Sequence, residues 1–385
     1  MAIPFRHVAA SGSYHEIGRQ IGEGMRTEIV ASIDFFRENF AAMGGNIDFS
    51  AAEDLTRGYV RMARRYLPQY VEEVEGVAAG SGVPFPALMV ANCAEELTSS
   101  EPAVGEYDPD ADPQARAAGA ARGGASGVSD YCTAVAVTIG GRHIVGHNMD
   151  WYVVDAPNSM VFDVTVPDGT RFLGIAGAAY LPMLAMTSHG TGNVSNSVYS
   201  NDNRIGVPNA FVRRWTLEAP TLEEARARGL LAARARGTNH MLADTRGRIW
   251  DMETSATASA FSEADPDWPG RGDGWMVHTN HYVSVALAPY EGASGAESRT
   301  RLATAGRMLA DGVARGDDPI ALVTAVLRCH EPGPDECICG HPDETEPVAE
   351  QGMTVGSMIC DLDERRLYAC AGPPCENPYQ IFEMG

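Results

Sequence analysis

The sequence predicts an α+β protein. Three observations carry this. Through the first hundred residues apolar side chains recur at helical spacing; from Cys132 onward the period drops to two, with turn residues between runs; and a late helical stretch is followed by two more alternating runs.

In chain order, Ser13-Tyr14-His15-Glu16 reads as a capping box opening a helix through Ile17, Ile21, Met25, Ile29 and Ile33 to about Phe40. Ser50 and Glu53 form a second box, starting a helix through Tyr59, Met62, Tyr66 and Val74 that stops near Gly80. Residues 1–98 are therefore a mainly helical segment. Residues 99–131 are rich in Gly, Ala, Pro, Asp and Glu, and with so little apolar area to bury they read as a flexible linker. Residues 132–385 hold the β-rich part, and both parts are expected to form one globular unit.

A hairpin follows the linker, with Cys132 at the head of its first strand, Gly140-Gly141 at its turn and Asp150 near the end of its second strand. A second hairpin turns at 167–170. Residues 184–203, with Gly190, Gly192, Asn193 and Asn196, read as a polar stretch where amides gather around a ligand. Thr221 and Glu224 cap a helix to about Arg236; strands fit 240–244, 248–253 and 275–279. Helices are predicted at 296–314 and at 319–329, the latter with Asp318 as cap and Pro319 in its first turn, and strands at 353–362 and 367–371.

Composition narrows the function. The net charge is −22, with 51 acidic residues against 29 basic ones, all of the latter Arg. An acidic chain has no positive face for phosphates, which excludes nucleic acid and anionic membrane as partners. Without Lys there is no Schiff-base lysine and no phosphate-loop lysine. The N-terminus lacks the apolar core of a signal peptide and no run approaches ~18 apolar residues, so a cytoplasmic chain with reduced thiols is expected.

A cysteine at a strand start, directly after a linker, is oddly placed for packing. If the chain is cut between Tyr131 and Cys132, the freed α-amine sits on the residue bearing the thiol and serves as its base, with a reference pKa near 7.7–8.0. An uncut cysteine hydrolase using His240, His278 or His281 as base is the alternative, and a zinc-containing binding protein with an inert Cys132 is another. The cluster Cys329-His330, Cys337, Cys339 and His341 lacks paired C-x2-C spacing; loop thiols or a local disulfide are the reading preferred, with no metal and no cofactor.

Cys132-Thr133, with Asp150 eighteen residues on in Gly-His-Asn-Met-Asp-Trp, resembles the core motif of the acyl-CoA:6-aminopenicillanate acyltransferase family, self-processing cysteine N-terminal-nucleophile enzymes related to choloylglycine hydrolases. Gly12 to Gly22, Gly192 to Asn196, His278-Thr279-Asn280, Glu297-Ser298-Arg299, Cys339-Gly-His341 and Gly372-Pro-Pro-Cys375 agree in order. The resemblance implies a four-layer αββα fold and autocatalytic cleavage at Tyr131–Cys132, where Tyr131 stands in place of the penicillin-forming member's Gly. It further implies two fragments that stay associated, and a hydrolase or acyltransferase working through a Cys132 thioester on a small-molecule amide, or on a thioester such as an acyl-CoA.

It also implies roles. Cys132 would be nucleophile and, through its amine, base; Asp150 would orient that amine; Arg299 would supply positive charge, with Arg301 a rival because Ser-Arg-Thr-Arg leaves the register open; Asn280 and Asn196 would donate to the oxyanion. The oligomeric state is left open, a higher oligomer being compatible with all of this.

Overall fold

A computed structural model describes residues 5–45, 47–98, 103, 105–110, 132–263, 267–292, 295–334 and 336–385. Most of the expected linker, and Tyr131, lie outside these residues.

The chain starts with β1 (Arg6–Ser11), then α1 (Tyr14–Gly24), α2 (Arg26–Asn39), α3 (Phe49–Tyr66), α4 (Pro68–Ser81), α5 (Phe85–Asn92) and α6 (Ala94–Leu97). After residue 132 come β2 (Thr133–Ile139), β3 (Arg142–Tyr152), β4 (Ser159–Thr165), β5 (Arg171–Gly177), β6 (Leu184–Thr187) and β7 (Thr191–Ser197). Next are α7 (Asn209–Leu217), α8 (Leu222–Gly229), β8 (Thr238–Asp244), β9 (Ile249–Thr254), β10 (Ser259–Ser262), β11 (Arg271–Gly272) and β12 (Trp275–His278). α9 (Ala296–Arg315), α10 (Pro319–Leu327), β13 (Gly352–Asp361), β14 (Arg366–Ala371) and β15 (Gln380–Glu383) complete it.

Two sheets result, one ordered β1-β4-β5-β6-β7-β8-β9-β10 and the other β11-β12-β2-β3-β13-β14-β15. Strand alternation explains how they stack. Ala134, Ala136 and Val145 face Val161, Leu173 and Met241 of the other sheet, forming the core between them. Val135, Val137 and Ile144 point the opposite way, onto Leu309 of α9 and Val323 and Val326 of α10. On the far side, Met160, Phe162 and Phe172 pack with Ile21, Phe36 and Phe211 of the helical layer. The layers therefore run helix, sheet, sheet, helix, the αββα order that the resemblance implied.

Several boundaries differ from the sequence reading. The helix expected from 14 to 40 breaks at Met25, and the one expected from Ser50 to Gly80 breaks at Leu67, because Pro68 cannot donate to a continuing helix but is suited to the first turn of α4. Its N-cap is Asp48, which accepts from the Ala51 amide at 2.8 Å, rather than Ser50. The helix from Thr221 ends at Gly229, not Arg236. The polar stretch 184–203 forms the β6–β7 hairpin.

The helical segment is built into the rest. β1 pairs in parallel with β4, so the larger sheet contains a strand from the first residues of the chain. Gly18 and Gly22 of α1 meet Gly76 and Gly80 of α4, where a methyl group on Gly18 would stand 1.8 Å from the Glu73 carbonyl oxygen; only glycine permits so close a helix pair. Arg214 of α7, fully buried, reaches Glu73 of α4 at 3.0 Å and Glu218 at 3.2 Å, and its guanidinium lies 4.1 Å from the centre of the Phe172 ring. A buried pair of this kind is costly to break from one side only.

Candidate active site

Cys132 is 8 % exposed and precedes β2 in the middle of the smaller sheet, flanked by β3 and β12. The Gly140-Gly141 turn, with both φ angles positive, sets a register in which Thr133 opposes Asn148. This brings the end of β3 against the head of β2, and the Cys132 Sγ lies 3.9 Å from the Asp150 carbonyl oxygen. Asp150 is 2 % exposed; its carboxylate faces the loop at Gly340 and raises the thiols of Cys337 and Cys339, although burial is the larger cause in both.

The residue closest to the expected role of Arg299 is Arg301. Fully buried on α9, its Nη1 donates to the Cys132 carbonyl at 2.8 Å and to Thr133 Oγ1 at 3.1 Å, while Nη2 donates to Asn280 Oδ1 at 3.0 Å. Arg299 points to solvent, its side chain 54 % exposed and paired with Glu291 at 2.8 Å. A helix turns about 100° per residue, so two residues apart face nearly opposite ways. The signal existed in the sequence: Ser298, Arg301, Ala305, Leu309 and Gly312 make a buried stripe at three-to-four spacing that skips Arg299.

Asn280, just past β12, gives one Nδ2 proton to the Ser197 carbonyl at 2.9 Å and is held at its backbone by Ser298 Oγ at 2.8 Å. The structure therefore joins Cys132, Arg301 and Asn280 in one hydrogen-bonded unit. Asn196 lies one residue from Ser197, but its side chain is engaged with His147 Nε2 at 3.1 Å and His278 Nδ1 at 3.5 Å.

The three histidines weighed as bases are occupied otherwise or neutral. Burial lowers His240 to about 3 and His281 to about 3, and His281 Nδ1 faces Ser298 Oγ at 2.7 Å. For His278 burial opposes charge, yet Asp251 and Glu253 outweigh it and raise the pKa; its Nε2 meets Glu253 at 2.8 Å and its Nδ1 the Thr279 carbonyl at 2.7 Å. None of the described hydrogen bonds of these rings reaches Cys132.

A cleft of about 760 Å³, its open mouth included, lies beside Cys132. Trp151, Ile175, Tyr180, Met183 and Leu184 give it an apolar wall. Glu95 and Arg213, 2.6 Å apart, give it a charged end. Burial disfavours the Glu95 carboxylate, but Arg213 and Arg236 prevail and hold it at about 2. The sequence reading missed this pair; Glu95 comes from α6 and Arg213 from α7, which nothing local connects.

Glu96 behaves oppositely. Burial pushes it up to about 7, against the pull of Arg236, and its Oε1 accepts from the Asn209 amide at 2.7 Å. The folded protein thus holds this proton more tightly than the unfolded chain does. The stability it contributes is present below the ordinary carboxylate range and is lost as pH rises through about 7. Glu96→Gln keeps the acceptor and removes the titration. Compared as single full-length chains, the variant should gain on its parent between pH 5 and pH 8 by up to about 3 kcal/mol in urea unfolding. An equal difference at both pH values would refute the assignment.

Outside the cleft, His330, Cys339, His341 and Cys375 bring their ligand atoms within 4.8 Å of one another. No helix among the described residues is long and apolar enough to cross a membrane.

The chain is similar to known proteins in sequence and in structure. A search of curated proteins finds no match. Among solved structures, a mutant of the conjugated bile acid hydrolase from Clostridium perfringens is 12 % identical, over 66 % of this chain and 97 % of its own, with a TM-score of 0.44. Penicillin V acylase from Agrobacterium tumefaciens is 14 % identical, over 66 % and 86 %, also at 0.44. Residues 137–322 match the family model described as acyl-coenzyme A:6-aminopenicillanic acid acyl-transferase. That match takes in just under half of the chain, and it falls in the family that the sequence motifs resemble.

Proposed function

We propose that this protein is an amide hydrolase or acyltransferase that matures by cleavage before Cys132 and uses Cys132 as its nucleophile. One observation carries the reading: Arg301 ties the Cys132 carbonyl to Asn280 in a buried unit at the edge of a largely apolar cleft. The freed α-amine of Cys132 takes the thiol proton. The thiolate attacks the substrate carbonyl carbon, and the remaining Asn280 Nδ2 proton is offered to the oxyanion. The C–N bond then breaks, the amine leaves with the proton held by the α-ammonium, and a thioester remains. Water or an acceptor amine attacks that thioester, and the returning proton restores the thiol.

The apolar wall suits an apolar acyl group. The chain carries formal net charge −22, and among the described residues the paired Arg213 is the one Arg that lines the cleft, so amide hydrolysis is favoured over use of an acyl-CoA donor. No cofactor is required, because thiol and amine on one residue supply nucleophile and base. Cleavage would leave fragments 1–131 and 132–385 bound together by the β1–β4 pairing and by the Arg214–Glu73 and Arg213–Glu95 pairs.

Intact mass spectrometry of the purified protein tests this. The expected result is two species, one beginning at Met1 or Ala2 and the other at Cys132. A single active chain of 41.1 kDa would overturn self-processing.

A further inference from the structure

We infer that His330, Cys339, His341 and Cys375 bind one zinc ion, a structural site separate from the chemistry at Cys132. In a tetrahedral zinc site, bond lengths near 2.0–2.1 Å to nitrogen and 2.3 Å to sulfur place two nitrogens about 3.3 Å apart and a nitrogen and a sulfur about 3.6 Å apart. Here His341 Nε2 lies 3.2 Å from His330 Nε2, 3.2 Å from Cys375 Sγ and 3.9 Å from Cys339 Sγ. All four atoms fall within 4.8 Å of one another. A single thiol–imidazole hydrogen bond would account for one of these contacts. It would not bring four soft donors from three stretches of chain to one point.

The surroundings support the same assignment. The other ring nitrogen of His341, Nδ1, faces the Glu376 carboxylate at 3.6 Å, the carboxylate–histidine arrangement that orients a metal-bound imidazole. Gly340, between two of the ligands, is fixed by Thr354, whose Oγ1 accepts from the Gly340 amide at 2.9 Å and whose amide donates to the Gly340 carbonyl at 3.1 Å. The sequence reading favoured loop thiols or a local disulfide in the 329–341 cluster, and the proposed ligand set differs from that cluster. Cys329 and Cys337 are not ligands, Cys337 directing its thiol at the Cys339 carbonyl at 3.0 Å, and the missing ligand comes from Cys375.

The site has a task that its position explains. Thr354 of β13 opposes Asp150 of β3, and Gly340 stands directly against the Asp150 carboxylate. A metal at these ligands would pin the 329–341 loop to the loop after β14 and so hold the wall beside Asp150 in place. The chain has no other covalent clamp there, since both cysteines are free thiols.

The test is metal content and ligand-field spectroscopy on the full chain, readouts that need no substrate and do not depend on self-cleavage. Purified without chelator, the protein should carry close to one zinc per chain. After removal of zinc, Co2+ should give the intense d–d bands of a tetrahedral site and a thiolate-to-metal charge-transfer band. Cys375→Ser and His341→Ala should each lower zinc affinity at least tenfold, while Cys329→Ser, a neighbouring thiol outside the set, should retain full occupancy. Because a ligand variant could fail to fold, the Co2+ spectrum of the wild-type chain stands by itself as evidence. Substoichiometric metal together with no tetrahedral Co2+ spectrum would overturn the site, as would peptide mapping that finds Cys339 and Cys375 joined in a disulfide.

Discussion

Replacement of Cys132 by Ala should leave one covalent chain of 385 residues and lower turnover by roughly 10⁴-fold or more, the scale on which loss of the nucleophile acts in serine proteases. The fold should survive, because the side chain removed is a single sulfur at a site 8 % exposed, and the backbone that Arg301 grips is unchanged. Cys132→Ser makes the more informative partner. It keeps a nucleophilic atom on the same carbon, so slow cleavage with feeble turnover would show that the amine and its surroundings are intact and that the thiol supplies the difference. Wild-type turnover in the Ala variant would remove Cys132 from the mechanism. Cleavage that persists in that variant would mean the cut is made by another protease.

What could be read in the sequence was what depends on short-range pattern. The β2–β3 hairpin is legible because alternation and a Gly-Gly turn determine it within twenty residues, and that alone places Cys132 beside Asp150. The four layers became legible only through the resemblance, since no local pattern says that Ala134 and Ala136 face Val161 and Leu173. β1 was missed because its partner β4 lies about 150 residues away and its own pattern is weak. Thr191–Ser197, read as part of a polar stretch where amides gather around a ligand, is strand β7: every residue of it is buried, β6 and β8 are its neighbours, and Ser195 and Ser197 line the cleft. Cys375 was left out of the cysteine–histidine cluster at 329–341 for the same reason that Glu95 and Arg213 were left out of the cleft. Their partners are assembled by the fold from distant segments.

The sequence leaves Arg299 and Arg301 both open, the structure puts Arg301 against the Cys132 carbonyl and Arg299 against Glu291, and their variants should separate by a wide margin. Arg301→Gln removes a fully buried charge and strips hydrogen bonds from the Cys132 carbonyl, Thr133 Oγ1 and Asn280 Oδ1. A loss of about 3–5 kcal/mol in stability is expected from breaking a buried charged network from one side. Turnover should fall about 10²–10³-fold as Asn280 loses its fixed position. Arg301 acts by positioning, so the decisive readout is alkylation of Cys132 by iodoacetamide. Its rate at fixed pH should drop in Arg301→Gln, where the nearby positive charge is gone, and recover in part in Arg301→Lys, which restores charge but cannot span three acceptors with one ammonium. Arg299→Gln loses only an exposed pair with Glu291. It should remain within about 0.5 kcal/mol of wild type in stability and within about twofold in alkylation and turnover. If instead Arg299→Gln slows both while Arg301→Gln merely destabilises, the assignment drawn from the buried face of α9 is wrong, and the charge that serves Cys132 comes from the register first read in the sequence.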